Sequence, residues 1–210
     1  AMTGNTWQNM TDGMVLNAGE GYIVHCTNES AGWNEGIEMV VKSMDNDNKN
    51  SGFVSDDVTR VLNEYPSEYA HNRSWNLIGN PYPSYYYTPA MEIASPITVW
   101  NGNGYTAYSL LDDYYTLRPY EAFFVQCPSN SNIIKFSKEG RSHEDFGSSD
   151  NNESGSRVVA SALGRQVINI MLADNEYTDK TRIVINENAK AEYESECDAS
   201  KFMSSNKNVP

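Results

Sequence analysis

The feature that most constrains this chain is an internal repeat. Residues 16–27 read LNAGEGYIVHCT, and residues 117–128, an offset of 101, read LRPYEAFFVQCP. Leu, Glu, Val and Cys are identical at matching positions, and Gly21/Ala122, Tyr22/Phe123, Ile23/Phe124 and His25/Gln126 are similar. Each copy leaves an Ala- or Pro-bearing turn and enters a run of aromatic and β-branched residues, the composition of a half-buried strand. An apolar segment follows each copy, 37–41 (IEMVV) and 133–136 (IIKF), so the repeated unit is strand–loop–strand.

The rest of the chain agrees with a fold made of short strands. Residues 96–108 (PITVWNGNGYTAY) form the clearest hairpin, because Asn and Gly accept the positive φ of a tight reversal between two alternating runs. In 75–83 (WNLIGNPYP) a strand stops at Gly79, after which Pro81 and Pro83 bar further ladder pairing and imply a rigid corner. Residues 165–172 (RQVINIML) and 181–185 (TRIVI) read as two later strands. Long Ala/Leu/Glu/Lys stretches of helical period are missing. The sequence therefore predicts an all-β chain, an antiparallel β-sandwich of jelly-roll-like type with an internally duplicated strand–turn unit.

Residues 142–156 (SHEDFGSSDNNESGS) are polar and Gly/Ser-rich, the composition of a flexible acidic loop or linker. The expected organisation is a duplicated sandwich module over 1–141, this linker over 142–156, and a second β module over 157–210, either incomplete or packed on the first.

Charge excludes some partners. With 28 acidic against 15 basic residues the formal charge is −13, which repels phosphate backbones and anionic lipid. Nucleic acid is not an expected partner. No apolar run approaches the ~18 residues of a membrane-spanning helix, so no membrane insertion by this segment is expected.

Tests for catalytic and metal chemistry find little. Of the three histidines, His25 lies on a strand, His71 before a turn and His143 in the linker, with no HxH or HExxH spacing for zinc. A GxSxG nucleophile elbow is absent. Carboxylate pairs such as Asp56-Asp57 and Asp112-Asp113 carry little information among so many acids. Asp45 and Asp47 begin like a calcium loop, but Lys49 occupies the next ligand position and Gly52 is misplaced, which leaves only a weak calcium candidate. No cofactor is expected. Cys26, Cys127 and Cys197 are too few and too distant for a disulfide framework. They are expected as thiols, with Cys26 and Cys127 at equivalent buried strand positions.

Aromatic residues remain. An extended Tyr85-Tyr86-Tyr87 run puts Tyr85 and Tyr87 on one surface and turns Tyr86 inward, while Trp100 and Tyr105 flank the hairpin tip. Tyr85, Tyr87, Trp100 and Tyr105 are the candidate ligand-binding platform, of the kind on which sugars stack. The alternative is that tyrosines simply cover the edges of a polar sandwich.

Several segments together resemble a known group. The corner at Trp75, Asn80, Pro81, Tyr82 and Pro83, the strand at Phe123, Phe124 and Val125, and the tail at Asp198, Ala199 and Lys201 are similar to the C-terminal β-rich regions of large secreted or cell-surface Bacteroidetes proteins. In that group such regions often follow leucine-rich repeats or adhesin-like domains. The resemblance implies a portion of a larger extracellular protein, a non-catalytic adhesion or structural module with a protein or glycan partner at the cell surface, and no enzyme activity. Carbohydrate binding through surface Tyr and Trp is the alternative function.

Overall fold

The computed structural model describes residues 2–3, 6–7, 9, 11, 14–23, 53–68, 73–101, 104–110, 113–148, 166–173 and 178–199. Asp45, Asp47, Cys26, His25, His71, Asp112 and Lys201 lie outside them, as does segment 37–41. The described strands are β1 (Met2–Thr3), β2 (Thr6–Trp7), β3 (Val58–Val61), β4 (Trp75–Gly79), β5 (Tyr85–Tyr87), β6 (Met91–Glu92) and β7 (Ile97–Trp100). They continue with β8 (Tyr105–Tyr108), β9 (Thr116–Leu117), β10 (Ala122–Gln126), β11 (Ile133–Phe136), β12 (Arg141–Ser142), β13 (Gln166–Ala173) and β14 (Thr178–Ile185). The chain is all-β, and among the described residues every ladder is antiparallel.

A four-stranded sheet, β4-β10-β7-β8, faces two three-stranded sheets, β3-β11-β6 and β12-β5-β9. Period-two alternation makes the core. Ile78, Phe123, Val125, Ile97, Val99 and Tyr108 are buried on one side of the four-stranded sheet. Against them lie Tyr86, Met91, Leu117, Ile134 and Phe136 from the smaller sheets. Phe136 bridges the layers, edge-on to Tyr86 at 5.3 Å and tilted against Phe123 at 6.3 Å. The arrangement is sandwich-like; these strand orders do not establish jelly-roll winding.

The repeat has a geometric meaning. In copy one Glu20 N–H donates to the Asn17 carbonyl at 3.1 Å, and in copy two Glu121 N–H donates to the Arg118 carbonyl at 3.0 Å. The third residue of each turn has positive φ, Gly19 at 82° and Tyr120 at 59°. One positive φ at that position, after Ala18 or Pro119, is the signature of a type II turn. The repeated glutamate latches its own turn. Glu20 accepts hydrogen bonds from Asn17 Nδ2 (3.1 Å) and Tyr22 O–H (2.7 Å), and Glu121 accepts from Arg118 N–H (2.8 Å) and Tyr115 O–H (3.0 Å).

Both turns then feed β4, one along each edge. Copy two continues into β10, which pairs with β4 from Ala122↔Gly79 to Gln126↔Trp75. Copy one bonds the opposite edge through Gly21 N–H to the Leu77 carbonyl (3.1 Å) and Gly79 N–H to the Gly19 carbonyl (3.2 Å). Gly21 is required there, because a Cβ would sit 2.4 Å from Leu77 Cγ and 2.9 Å from the Leu77 carbonyl carbon.

The proline corner is held by side chains. Asn80 is buried; its Nδ2 donates to the Ser84 and Arg118 carbonyls, both at 2.9 Å, and its Oδ1 accepts from Tyr82 N–H. Tyr82 O–H in turn reaches the Asp56 and Phe136 carbonyls, at 2.9 and 3.0 Å. The residues that carry the family resemblance at this corner therefore do structural work.

Residues 142–148 pair with the sandwich, past the point at which composition begins the linker. Ser142 pairs with Tyr85 in β12, Ser148 bridges Tyr115, and Gly147 accepts from Thr116 N–H at 2.9 Å. Polar turn formers such as Ser142 and Asp145, which accept from Glu144 and Gly147 N–H, give ordered turns the same composition as a linker. The hairpin β13–β14 sits on the sandwich through a two-bond pair between Arg182 and buried Asp113. Farther on, Tyr193 O–H donates to Gln126 Oε1, and Glu196 accepts from Ser129 N–H at 2.7 Å. Among the described residues no helix is long and apolar enough to cross a membrane.

Candidate functional site

The outer face of the four-stranded sheet carries a cluster of three aromatic rings. Phe123 and Val125 point inward, so by alternation Phe124 points out, directly opposite Leu77 on β4 and Thr98 on β7. Trp100 and Tyr105 form the last cross-strand pair of the β7–β8 hairpin. Their rings meet edge to face at 4.9 Å, and Tyr105 meets Phe124 the same way at 5.9 Å. Trp100 is 46% exposed. The three rings make a continuous ridge across β8, β7 and β10. The hairpin loop behind it is closed by Asn101, whose N–H donates to the Gly104 carbonyl (3.0 Å) and whose Oδ1 accepts from Gly104 N–H (2.9 Å).

Tyr85 and Tyr87 lie elsewhere. Tyr86 is fully buried and its two neighbours are half-buried, the alternation expected from the sequence. Yet β5 belongs to the β12-β5-β9 sheet. Tyr87 packs between Tyr114 (5.7 Å) and Phe146 (5.6 Å) rather than beside Trp100. The four predicted rings are thus divided between two sheets. Phe124, Tyr114 and Phe146 complete the two groups. Phe124 was legible as the outward residue of the repeated strand, whereas Tyr114 and Phe146 come from loops with no periodicity to flag them.

Ring orientation limits what these groups can do. The interplanar angles of 60° for Trp100–Tyr105 and 74° for Tyr105–Phe124 mean that neighbouring rings do not present their flat faces to the same side. Trp100 is the exposed ring of the three and Tyr105 and Phe124 are half-buried, which suits shape-complementary contact with an apolar side chain at the hairpin end.

Asp57 and Glu20 are engaged structurally. Asp57 accepts from Lys138 N–H (2.9 Å), which together with nearby Lys135 holds its carboxyl below the ordinary range. Burial pushes the Glu20 carboxyl up, but Tyr22, Asn17 and the Arg60 guanidinium together hold it low. A cleft of about 70 Å³ beside Glu20 is lined by Arg60, Asn63, Asn76 and Leu77. That is room for a water or two, since each takes about 30 Å³ in the liquid, and not for a sugar ring. Asn76 spans it, donating to the Asn63 and Ser74 carbonyls at 3.0 and 2.9 Å.

Cys127 is buried, and burial together with Glu64 and Glu196 pushes its thiol pKa up, which keeps the sulfur protonated and unreactive. Cys197 is exposed, and so is His143. Among the described residues no group of three His, Cys, Asp or Glu side chains is placed to hold a metal ion. No protein-family model, curated protein or solved structure matches the chain.

Proposed function

We propose that this chain is a non-catalytic binding module of a secreted or cell-surface protein, acting in adhesion or in joining neighbouring parts of a larger assembly. The observation that carries the reading is the Trp100–Tyr105–Phe124 ridge, apolar surface displayed on a sheet face of a chain with formal charge −13. Contiguous exposed aromatic surface rimmed by polar residues marks interaction sites, and Trp and Tyr dominate the energetics of such sites. The cell-surface setting rests on the resemblance of the corner, strand and tail segments.

Immobilised chain is to be presented with a panel of extracellular matrix proteins and a glycan array. A saturable protein partner lost on Trp100→Ala supports the reading. Binding to no member of the panel removes the adhesion role. A second reading, carbohydrate binding, is favoured by the half exposure of Trp100 at the hairpin end; it predicts glycan signals that fall with Trp100→Ala or Tyr105→Ala.

A further inference from the structure

The hairpin β13–β14 is a two-stranded sheet of its own, separate from the sheets of the sandwich. Eight consecutive pairs, from Gln166↔Ile185 to Ala173↔Thr178, form a regular two-stranded ladder without a bulge. A two-stranded sheet is marginal alone, and three or more strands are needed for an independently stable one. On one side Arg182 grips Asp113 of the sandwich. Ile183 and Ile185, its neighbours by alternation, lie on the other side, where Ile183 stands opposite Ile168. Ile168, Ile170, Ile183 and Ile185 are each 46 to 50% exposed.

The edge is as unusual as the face. The sequence of β13, QVINIMLA, contains no charge and no proline, and its outer edge has no partner strand among the described residues. Edge strands are normally blunted by Lys, Pro, bulges or a cover. Among the described residues β13 has none of these.

We infer that the outer edge of β13 accepts an additional β-strand from another protein, an extended segment that alternates β-branched apolar residues with Lys or Arg. Three arguments select this occupant. A second copy docking face to face covers too little: two strands of eight residues present a footprint on the order of 270 Å², against roughly 800 Å² per partner in a stable interface. An added strand instead gains affinity from main-chain hydrogen bonds, which need no large area, while its apolar side chains extend the isoleucine row. Charge points the same way. Two copies at −13 each repel, and Glu187 and Glu192 lie in the segment after β14, so a basic segment is favoured.

The test uses the whole chain and a synthetic decapeptide alternating isoleucine and lysine, with a matched isoleucine–glutamate peptide as control. The expected result is saturable binding of the lysine peptide, increased amide-exchange protection confined to 166–185, and at least tenfold weaker binding of the glutamate peptide. Ile168→Lys with Ile170→Lys removes binding, while an unchanged melting temperature shows that the sandwich is intact. Should those substitutions unfold the hairpin, the peptide with a central proline in place of one lysine reads the same edge by failing to bind. Equal binding of both charged peptides, protection elsewhere, or concentration-dependent self-association without peptide overturns the inference. Trp100→Ala lies on a different sheet, so failure of the aromatic ridge and failure of this edge are read separately.

Discussion

Replacing Tyr120 by glycine will stabilise this protein slightly, whereas replacing Gly19 by alanine will destabilise it. Both residues occupy the same position of the repeated type II turn, with φ of 59° and 82°. A side chain there brings Cβ against the following carbonyl and costs about 1–2 kcal/mol. Tyr120 bears that cost, and as its ring is 55% exposed it recovers little by burial. Glycine removes the strain but adds unfolded-state freedom worth about 0.4–1 kcal/mol. The net gain is about 0.5–1 kcal/mol, which raises the melting temperature by roughly 1–4 °C in a chain of this size. Gly19→Ala adds the strain and also sets a Cβ 2.8 Å from Arg60 Cγ, displacing the stem whose guanidinium pairs with Glu20. Its cost is about 2 kcal/mol. Urea titration of the three proteins measures both changes. A Tyr120→Gly variant less stable by about 1 kcal/mol or more, or a neutral Gly19→Ala, would refute the equivalence of the two turns.

Other outcomes follow from the same contacts. Phe136→Ala removes the ring that joins Tyr86 to Phe123 and will cost about 3–5 kcal/mol in the same titration. Asp113→Ala strands the Arg182 guanidinium, so amide protection of β13 and β14 will fall by roughly tenfold or more while that of β4 and β10 is retained. Because the Glu20 carboxyl is held low in the folded protein, its contribution is present above the ordinary carboxylate pKa and is lost as pH falls through the folded value. Glu20→Gln will therefore flatten the acid limb of a stability–pH curve measured below about pH 5, and an unchanged limb would contradict that role.

Much of the architecture was legible because it rests on local rules. Period-two alternation turned Tyr86 inward between Tyr85 and Tyr87. Asn and Gly marked the β7–β8 hairpin, and the repeated Glu marked two equivalent turns. What escaped the sequence is long-range. Which sheet receives β5 is decided by its pairing with Arg141–Ser142 and Thr116–Leu117, and that choice separates Tyr87 from Trp100. Likewise nothing local pairs Asp113 with Arg182, 69 positions apart. The order within 142–148 was hidden because Ser, Asp and Gly build hydrogen-bonded turns and linkers alike.

The central claim is that the ridge on the outer sheet face is a binding surface. It is tested most directly by comparing wild type, Trp100→Ala with Tyr105→Ala, and Tyr87→Ala for saturable binding to the matrix-protein panel, with melting temperatures recorded alongside. The double variant is expected to lose binding by at least about tenfold, or ~1.4 kcal/mol, while remaining folded, and Tyr87→Ala to bind as wild type. Undiminished binding by the folded double variant would contradict it.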